Sequence, residues 1–320
     1  MNSVSKNNLH SKHETVRDPI IVLFGPTAVG KTELIADLFS TGFEIISADS
    51  LQVYRGLDIG TAKPGPPLRG AIAHHLIDIK DPREQFTAGE FVKRADELAA
   101  EIRARNRIPV VSGGTAFYLK SFLYGLPPAP PADSAVREEV RKELEQRGAE
   151  ALYEELQRVD PTAAEKISQK DAYRITRALE VYRTSGRPLS SFQVPETVRE
   201  GMDPLIIGLT REREELYARI DRRVELMFEQ GLTDEVRELM QAGYTEQDPG
   251  MRGIGYREFF LMRRWGCLTA VGVKELIKRN TRRYAKRQIT FFRHIPSVHW
   301  FSPSRSAEIR TFIENNLILL

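Results

Sequence analysis

Gly25-Pro-Thr-Ala-Val-Gly-Lys31-Thr32 follows an apolar run, Ile20-Ile-Val-Leu-Phe24, and precedes Leu34, Ile35, Leu38 and Phe39, which fall on one helical face. The octapeptide matches the phosphate-loop pattern G-x-x-x-x-G-K-[ST], and its flanks supply the strand and helix start that the pattern requires. Gly25 and Gly30 let the backbone turn so that successive N–H groups point at one anion, and the following helix adds the positive end of its dipole. Lys31 supplies a mobile charge, and the Thr32 hydroxyl is a ligand suited to Mg²⁺. The stretch Gly25, Pro26, Thr27, Ala28, Val29, Gly30, Lys31, Thr32 is therefore a candidate cradle for a phosphate or diphosphate. The loop alone does not say which molecule carries it.

The 320 residues leave room for one large domain or two, and 41% apolar with 28% charged residues is ordinary globular composition. A formal charge of +3 says little about a polyanionic partner until its distribution is known. The one cysteine, Cys267, excludes a disulfide framework and any cysteine-rich zinc site, and fits a reducing cytoplasm. Residues 1–18 are polar, lack an apolar signal core and read as a loose tail. No apolar run approaches the roughly 20 residues needed to cross a bilayer, so a membrane partner is not expected.

Downstream, Ile45-Ile46 leads to Asp49 at the end of a second expected strand. Groups at the carboxyl ends of strands line the ligand crevice of open α/β sheets. Asp49 is then a crevice carboxylate facing Lys31, or else a strand-end turn residue. Residues 53–64 read as a functional loop rich in Gly, Lys and Thr. His74 and His75 begin a short third strand and have no partner Cys or spaced third His for a metal. Thr87-Ala-Gly-Glu90 is a capping box opening a helix to about Arg105. The strand from Ile108 ends in Ser112-Gly-Gly-Thr115, where many phosphate-loop NTPases carry the aspartate that holds Mg²⁺. Without that carboxylate a motor or switch ATPase is disfavoured, and a transferase binding a phosphate-bearing substrate and a second molecule is favoured.

Leu126-Pro-Pro-Ala-Pro-Pro-Ala-Asp133 is a stiff connector followed by strand-free helical sequence. The expected organisation is α/β: a phosphate-loop parallel-sheet core over 19–126 and 200–320, with a helical insertion over 127–199. The sheet resumes at Pro204–Thr210, and Leu216, Ile220, Val224 and Met227 mark one face of the next helix. Gly231 ends that helix, and Thr233 is expected to cap its successor. Residues 298–301 read as a last edge strand, and residues 312–320 are too short to assign. Between Leu276 and Trp300 there is no acidic residue, while Arg279, Arg282, Arg283, Lys286 and Arg287 share one side of a helix near Tyr284 and Phe291. That face suits a phosphate backbone, the alternative being a solvated helix face.

Taken together, GPTAVGKT at 25–32, ISADSLQVYRGLDIGTAKP at 46–64, SGGTAFYLK at 112–120, DAYRITRALEVYRTSGRP at 171–188, TREREELYARI at 210–220, GIGY at 253–256 and RRYAKRQITFFR at 282–293 closely resemble the bacterial tRNA dimethylallyltransferases. The resemblance spans nearly all of the chain beyond the tail, and the 46–64 run is far more specific than the phosphate loop. It implies transfer of a dimethylallyl group from dimethylallyl diphosphate to N6 of the adenosine beside the anticodon, with Mg²⁺. It implies Asp49 as base, with Lys31, Thr32 and Arg213 sharing the leaving group's charge. By the same resemblance Ser50, Leu51, Gln52, Thr115, Arg137, Tyr173, Arg174, Ile175, Thr176 and Arg177 touch the anticodon stem-loop. Gly253, Ile254, Gly255, Tyr256, Arg283, Lys286, Arg287 and Gln288 do likewise. The zinc finger of the eukaryotic branch is missing, and a monomer with no obligate protein partner is expected. Two other readings compete: a small-molecule or nucleotide kinase, from the same loop with Asp49, and a non-catalytic RNA-binding protein, from the basic helix alone.

Overall fold

The computed structural model describes residues 19–39, 42–130, 133–192, 195, 197–266 and 269–318. The expected loose tail and Cys267 lie outside them. In chain order the first elements are β1 (Pro19–Phe24), α1 (Lys31–Leu38), β2 (Phe43–Ala48), α2 (Pro66–Ala71), β3 (His74–His75), α3 (Ala88–Ala104), β4 (Ile108–Gly113) and α4 (Ala116–Tyr124). Three helical elements follow, α5 (Ser134–Val159, broken by a non-helical kink at Gly148), α6 (Pro161–Lys166) and α7 (Ala172–Ser185). The rest is β5 (Asp203–Leu209), α8 (Arg213–Glu229), α9 (Leu232–Gln241), α10 (Arg257–Arg264), α11 (Ala270–Phe292), β6 (His299–Phe301) and α12 (Ser306–Ile318). Two compact units result, Met1–Lys120 with Glu200–Leu320, and Ser121–Arg199, so the division falls inside α4, ahead of the proline connector.

The larger unit is an α/β fold around a six-stranded sheet in the order β3-β2-β4-β1-β5-β6, every neighbouring pair parallel. Parallel strands need both faces covered, which is why β1 and β5 read as continuous apolar runs. Ile21, Leu23, Val110, Ile207 and Leu209 pack with Leu34 and Ile35 of α1 and with Leu216 and Ile220 of α8. Ile309 and Ile313 of α12 complete this cluster, so residues 312–318 of the stretch left unassigned by the sequence belong to a packed helix. Register then sets the site. Phe24 of β1 and Ala48 of β2 both pair with Gly113 of β4, which brings Gly25, Asp49 and Gly114 side by side at the carboxyl edge.

Side chains cap several of the helices. The Thr87 side chain accepts from the Glu90 N–H and opens α3. The smaller unit packs Val140, Leu152 and Leu156 of α5 against Ala163 of α6 and Ile175 and Leu179 of α7. Asp160 caps α6, Asp171 caps α7, and left-handed Gly186 closes α7. Thr233 does not cap α9. Gly231 takes that position in the left-handed region (φ 99°), and the helix starts one residue later at Leu232.

Candidate active site

The phosphate loop connects β1 to α1 and is shaped by cations gripping its carbonyls. Lys31 Nζ donates to the carbonyls of Gly25 (2.9 Å) and Pro26 (3.0 Å). Arg219 Nε donates to Ala28 O (2.8 Å), and Arg211 Nε to Val29 O (2.6 Å). With its carbonyls held by side chains, and Ala28 and Gly30 both at positive φ, the loop leaves the N–H groups of Ala28, Gly30, Lys31 and Thr32 without a protein acceptor among the described residues. Such a concave row of donors at a helix start is an anion site.

A cavity of about 700 Å³ opens in front of the loop, lined by Thr27, Lys31, Thr32, Asp49, Gln52, Arg219, Arg223, Tyr284 and Gln288 among others. Arg223 spans two walls, donating to Thr27 Oγ1 (3.0 Å) and to Thr61 O (3.1 Å). Its Nε is buried and has no hydrogen-bond partner among the described residues. Burial lowers the Arg223 pKa. Burial, followed by the Arg223 charge, pushes the Lys31 ammonium down to about 8. Two cations forced together at this energetic cost mark a site built for an anion.

Asp49 follows β2 and also lines the cavity. Its Oδ1 accepts from the N–H groups of Leu51 (2.9 Å) and Gln52 (3.3 Å), while Oδ2 takes no hydrogen bond among the described residues. The turn-aspartate and crevice-carboxylate readings thus hold together: one oxygen fixes the turn and the other is left for a ligand. Tyr284 stands on α11 in the same cavity, and burial and then the Asp49 charge push its phenol up to about 12. Thr115 accepts the Ser50 N–H (2.9 Å) and tethers the Asp49 turn to the turn after β4. Thr32 is exposed at the cavity wall.

Several expected contacts occupy other roles. Arg213 is exposed, stacks on Tyr217 (5.2 Å) and does not line the cavity. Tyr256 is 0% exposed; its hydroxyl donates to Glu235 Oε1 (2.7 Å). Glu235 also accepts from the N–H groups of Asp58, Ile59 and Gly60, so one half-buried carboxylate organises the 58–60 turn. A Cβ on Gly60 would lie 2.6 Å from the Tyr256 ring, which is why glycine stands there. Gly253 packs against the Leu51 side chain, and Gly255 against the Gly60 backbone. Gln288 is 3% exposed, and Ile175 belongs to the core of the smaller unit, so neither side chain is offered at the surface. Tyr173, Arg174 and Arg137 are exposed on the smaller unit, where Arg177 donates to Pro130 O (3.0 Å) and Thr176 to Tyr173 O (3.0 Å).

The basic helix α11 divides into two faces. Lys274 and Lys278 pair with Glu225, and Arg282 pairs with Asp221, both acids lying on α8. Residues 276–300 have no acid of their own, yet α8 supplies two and Glu275, one turn earlier on α11, also pairs with Lys278. Arg279, Arg283, Lys286 and Arg287 remain exposed along the other side. Sequence reading missed Arg211, Arg219 and Arg223; the last two are four residues apart and sit beside the Leu216, Ile220, Val224 stripe, the one signal that pointed to them. Among the described residues no helix is long and apolar enough to cross a membrane, and no cluster of three His, Cys, Asp or Glu could hold a metal.

Comparison with known proteins agrees with this geometry. A family model described as IPP transferase matches residues 52–295. A tRNA dimethylallyltransferase of Geobacter sulfurreducens is 44% identical over 88% of this chain and 91% of its own length. One of Symbiobacterium thermophilum is 47% identical over 88% of each. Among solved structures, the tRNA isopentenylpyrophosphate transferase of Bacillus halodurans superposes with a TM-score of 0.67 at 38% identity, covering 94% of this chain and 97% of that one. A eukaryotic dimethylallyltransferase acting on tRNA gives 0.74 at 27% identity, covering 93% and 80%.

Proposed function

The chain belongs to the family of tRNA dimethylallyltransferases, and we propose that it moves a dimethylallyl group from dimethylallyl diphosphate to N6 of adenosine 37 in a tRNA anticodon loop. The observation that carries this reading is the placement of Asp49 in the same cavity as two half-buried cations and four loop N–H groups, with its Oδ2 and those N–H groups lacking a partner among the described residues. The N6 lone pair attacks C1 of the donor, the C1–O bond breaks with its electrons passing to the diphosphate, and the N6 proton goes to Asp49 Oδ2. An exocyclic amine is a weak nucleophile, so a positioned base contributes roughly 10²–10⁴ in rate. Charge grows on the departing diphosphate, where the loop N–H groups, Lys31 and Arg223 can stabilise it without reorganising. Arg213 has no such position. No phosphoryl group moves and no water is activated, so no carboxylate is needed after β4, and the loop and Asp49 on which the kinase reading rested serve prenyl transfer equally.

The donor set also fits a hard divalent cation. The Thr32 hydroxyl is an oxygen donor at the cavity wall, too little for a protein cage and suited to Mg²⁺ shared with a diphosphate. Mg²⁺ when bound would offset charge on the leaving oxygens. For the RNA, the exposed Arg283, Lys286 and Arg287 of α11 meet backbone phosphates, and the adenine must leave its stack to bring N6 to the cavity. The enzyme acts as a monomer, in the cytoplasm where its tRNA is found. Incubating the protein with Mg²⁺, the donor and unmodified tRNA, followed by nucleoside mass analysis, should find one prenylated adenosine. Asp49→Ala should still bind tRNA while losing roughly 10²–10⁴ in rate. Prenyl transfer at near wild-type rate by that variant would remove Asp49 as the base.

A further inference from the structure

Gln288 lies on α11 directly after Lys286 and Arg287, two cations expected to face RNA, yet its side chain is turned inward and 3% exposed. Both ends of the amide are engaged. Oε1 accepts the Thr27 N–H (2.9 Å), and Nε2 donates to Gly114 O (2.7 Å). Thr27 belongs to the phosphate loop and Gly114 to the turn after β4, so one amide ties three segments together. The opposite side of Thr27 is held as well, since its Oγ1 accepts from Arg223 (3.0 Å). The N–H at Thr27 is thereby withheld from any anion, and its peptide plane is fixed ahead of the N–H groups of Ala28, Gly30, Lys31 and Thr32.

We propose that Gln288 is a positioning residue of the diphosphate loop: it clamps the Thr27 peptide to the turn after β4 and sets the direction of the anion-binding N–H groups, and it does not contact RNA. The inference rests on reading the loop as a diphosphate holder. Its second support is steric. A Cβ built on Gly114 would meet Gln288 Nε2 at 2.7 Å, with its next neighbour, Gly25 O, at an ordinary 3.7 Å. Glycine stands at 114 because the amide needs that space.

The test is a double-mutant cycle read by calorimetric titration with inorganic diphosphate and Mg²⁺, alongside tRNA binding by filter retention. Loss of two buried hydrogen bonds from Gln288→Ala should weaken diphosphate binding about 10- to 100-fold, at about 1.4 kcal/mol per tenfold. Its tRNA affinity should change by less than about threefold, since the side chain is not at the surface. Gly114→Ala, which pushes the amide out of place, should show the same weakening. The double variant should be no weaker than Gln288→Ala alone, because the space needed by the new methyl group is already empty. Thermal melts of all three confirm that the folded protein is being titrated. Additive losses in the cycle, a diphosphate affinity unchanged by Gln288→Ala, or a loss confined to tRNA binding would each overturn the proposal. The titration needs no turnover, so a wild-type protein that binds diphosphate but transfers no prenyl group would count against the proposed function and leave the clamp to be judged by the cycle.

Discussion

Replacing Arg223 by alanine separates charge stabilisation from architecture. The guanidinium bridges Thr27 Oγ1 and Thr61 O, its Nε is buried without a partner among the described residues, and it faces the cavity beside Lys31. Its value in folding is small. Burial opposes its charge, the neighbouring lysine repels it, and Thr61 O keeps a second, longer donor in Gln52 Nε2 (3.4 Å). The stability change should therefore stay within about 1 kcal/mol. In the reaction the balance reverses, because the departing diphosphate gains charge where Arg223 stands. Removing one preorganised donor of this kind costs about 10²–10³ in kcat, or roughly 2.7–4 kcal/mol. Single-turnover transfer at saturating tRNA and donor would measure it. Arg223→Lys, which keeps a charge but cannot span both walls, should fall between. A kcat for Arg223→Ala within about threefold of wild type, with an unchanged melting curve, would refute the assignment.

Lys31, held at about 8 by burial and Arg223, loses its charge in the free enzyme as pH rises through that value. The KM for the donor should climb above about pH 8, and Lys31→Arg should abolish that limb. For folding the sign is opposite: between about 8 and 10.5 the unfolded chain holds a proton on Lys31 that the folded chain does not, so the cost of burying this charge is full below pH 8 and eases towards 10.5. Neutralising Arg283 and Arg287 should weaken tRNA binding and reduce the slope of log K against log salt by about 1.5, at roughly 0.7–0.9 per phosphate contact. An unchanged slope would return that face to solvent. Gly60→Ala drives a methyl group into the Tyr256 ring at 2.6 Å and should destabilise by about 1–3 kcal/mol in denaturant melts. Tyr256→Phe, which removes the hydrogen bond to Glu235, should cost about 1–2 kcal/mol.

The sheet and its site edge were legible because their signals are local. Apolar runs mark buried parallel strands, and glycine, lysine and threonine at fixed spacing mark the loop. Asp49 was placed from its position at a strand end alone. What the sequence hid is tertiary. Nothing local tells that Glu235 sits on three N–H groups of a distant turn, or that Tyr256 turns inward to meet it. Gln288 lies in a run of cations and reads as one more RNA contact until its amide is seen between Thr27 and Gly114. Lys278 pairs with Glu225 of α8 and Glu275 of α11, and Arg282 with Asp221 of α8, so the bare charge count of residues 276–300 overstated the free face. Arg223 was missed because an arginine beside an apolar stripe reads as a snorkelling surface residue, and only the loop opposite makes it a site residue.

The central claim is that the loop holds a leaving group and moves no phosphoryl group. Dimethylallyl diphosphate labelled with heavy oxygen at the bridge between C1 and phosphorus tests this directly, with unmodified tRNA as acceptor and mass analysis of both products. Attack at C1 predicts that the label leaves entirely in diphosphate while the prenyl group appears on one adenosine. Label retained with the five-carbon fragment, or phosphate found on the acceptor, would mean cleavage at phosphorus and would contradict the account.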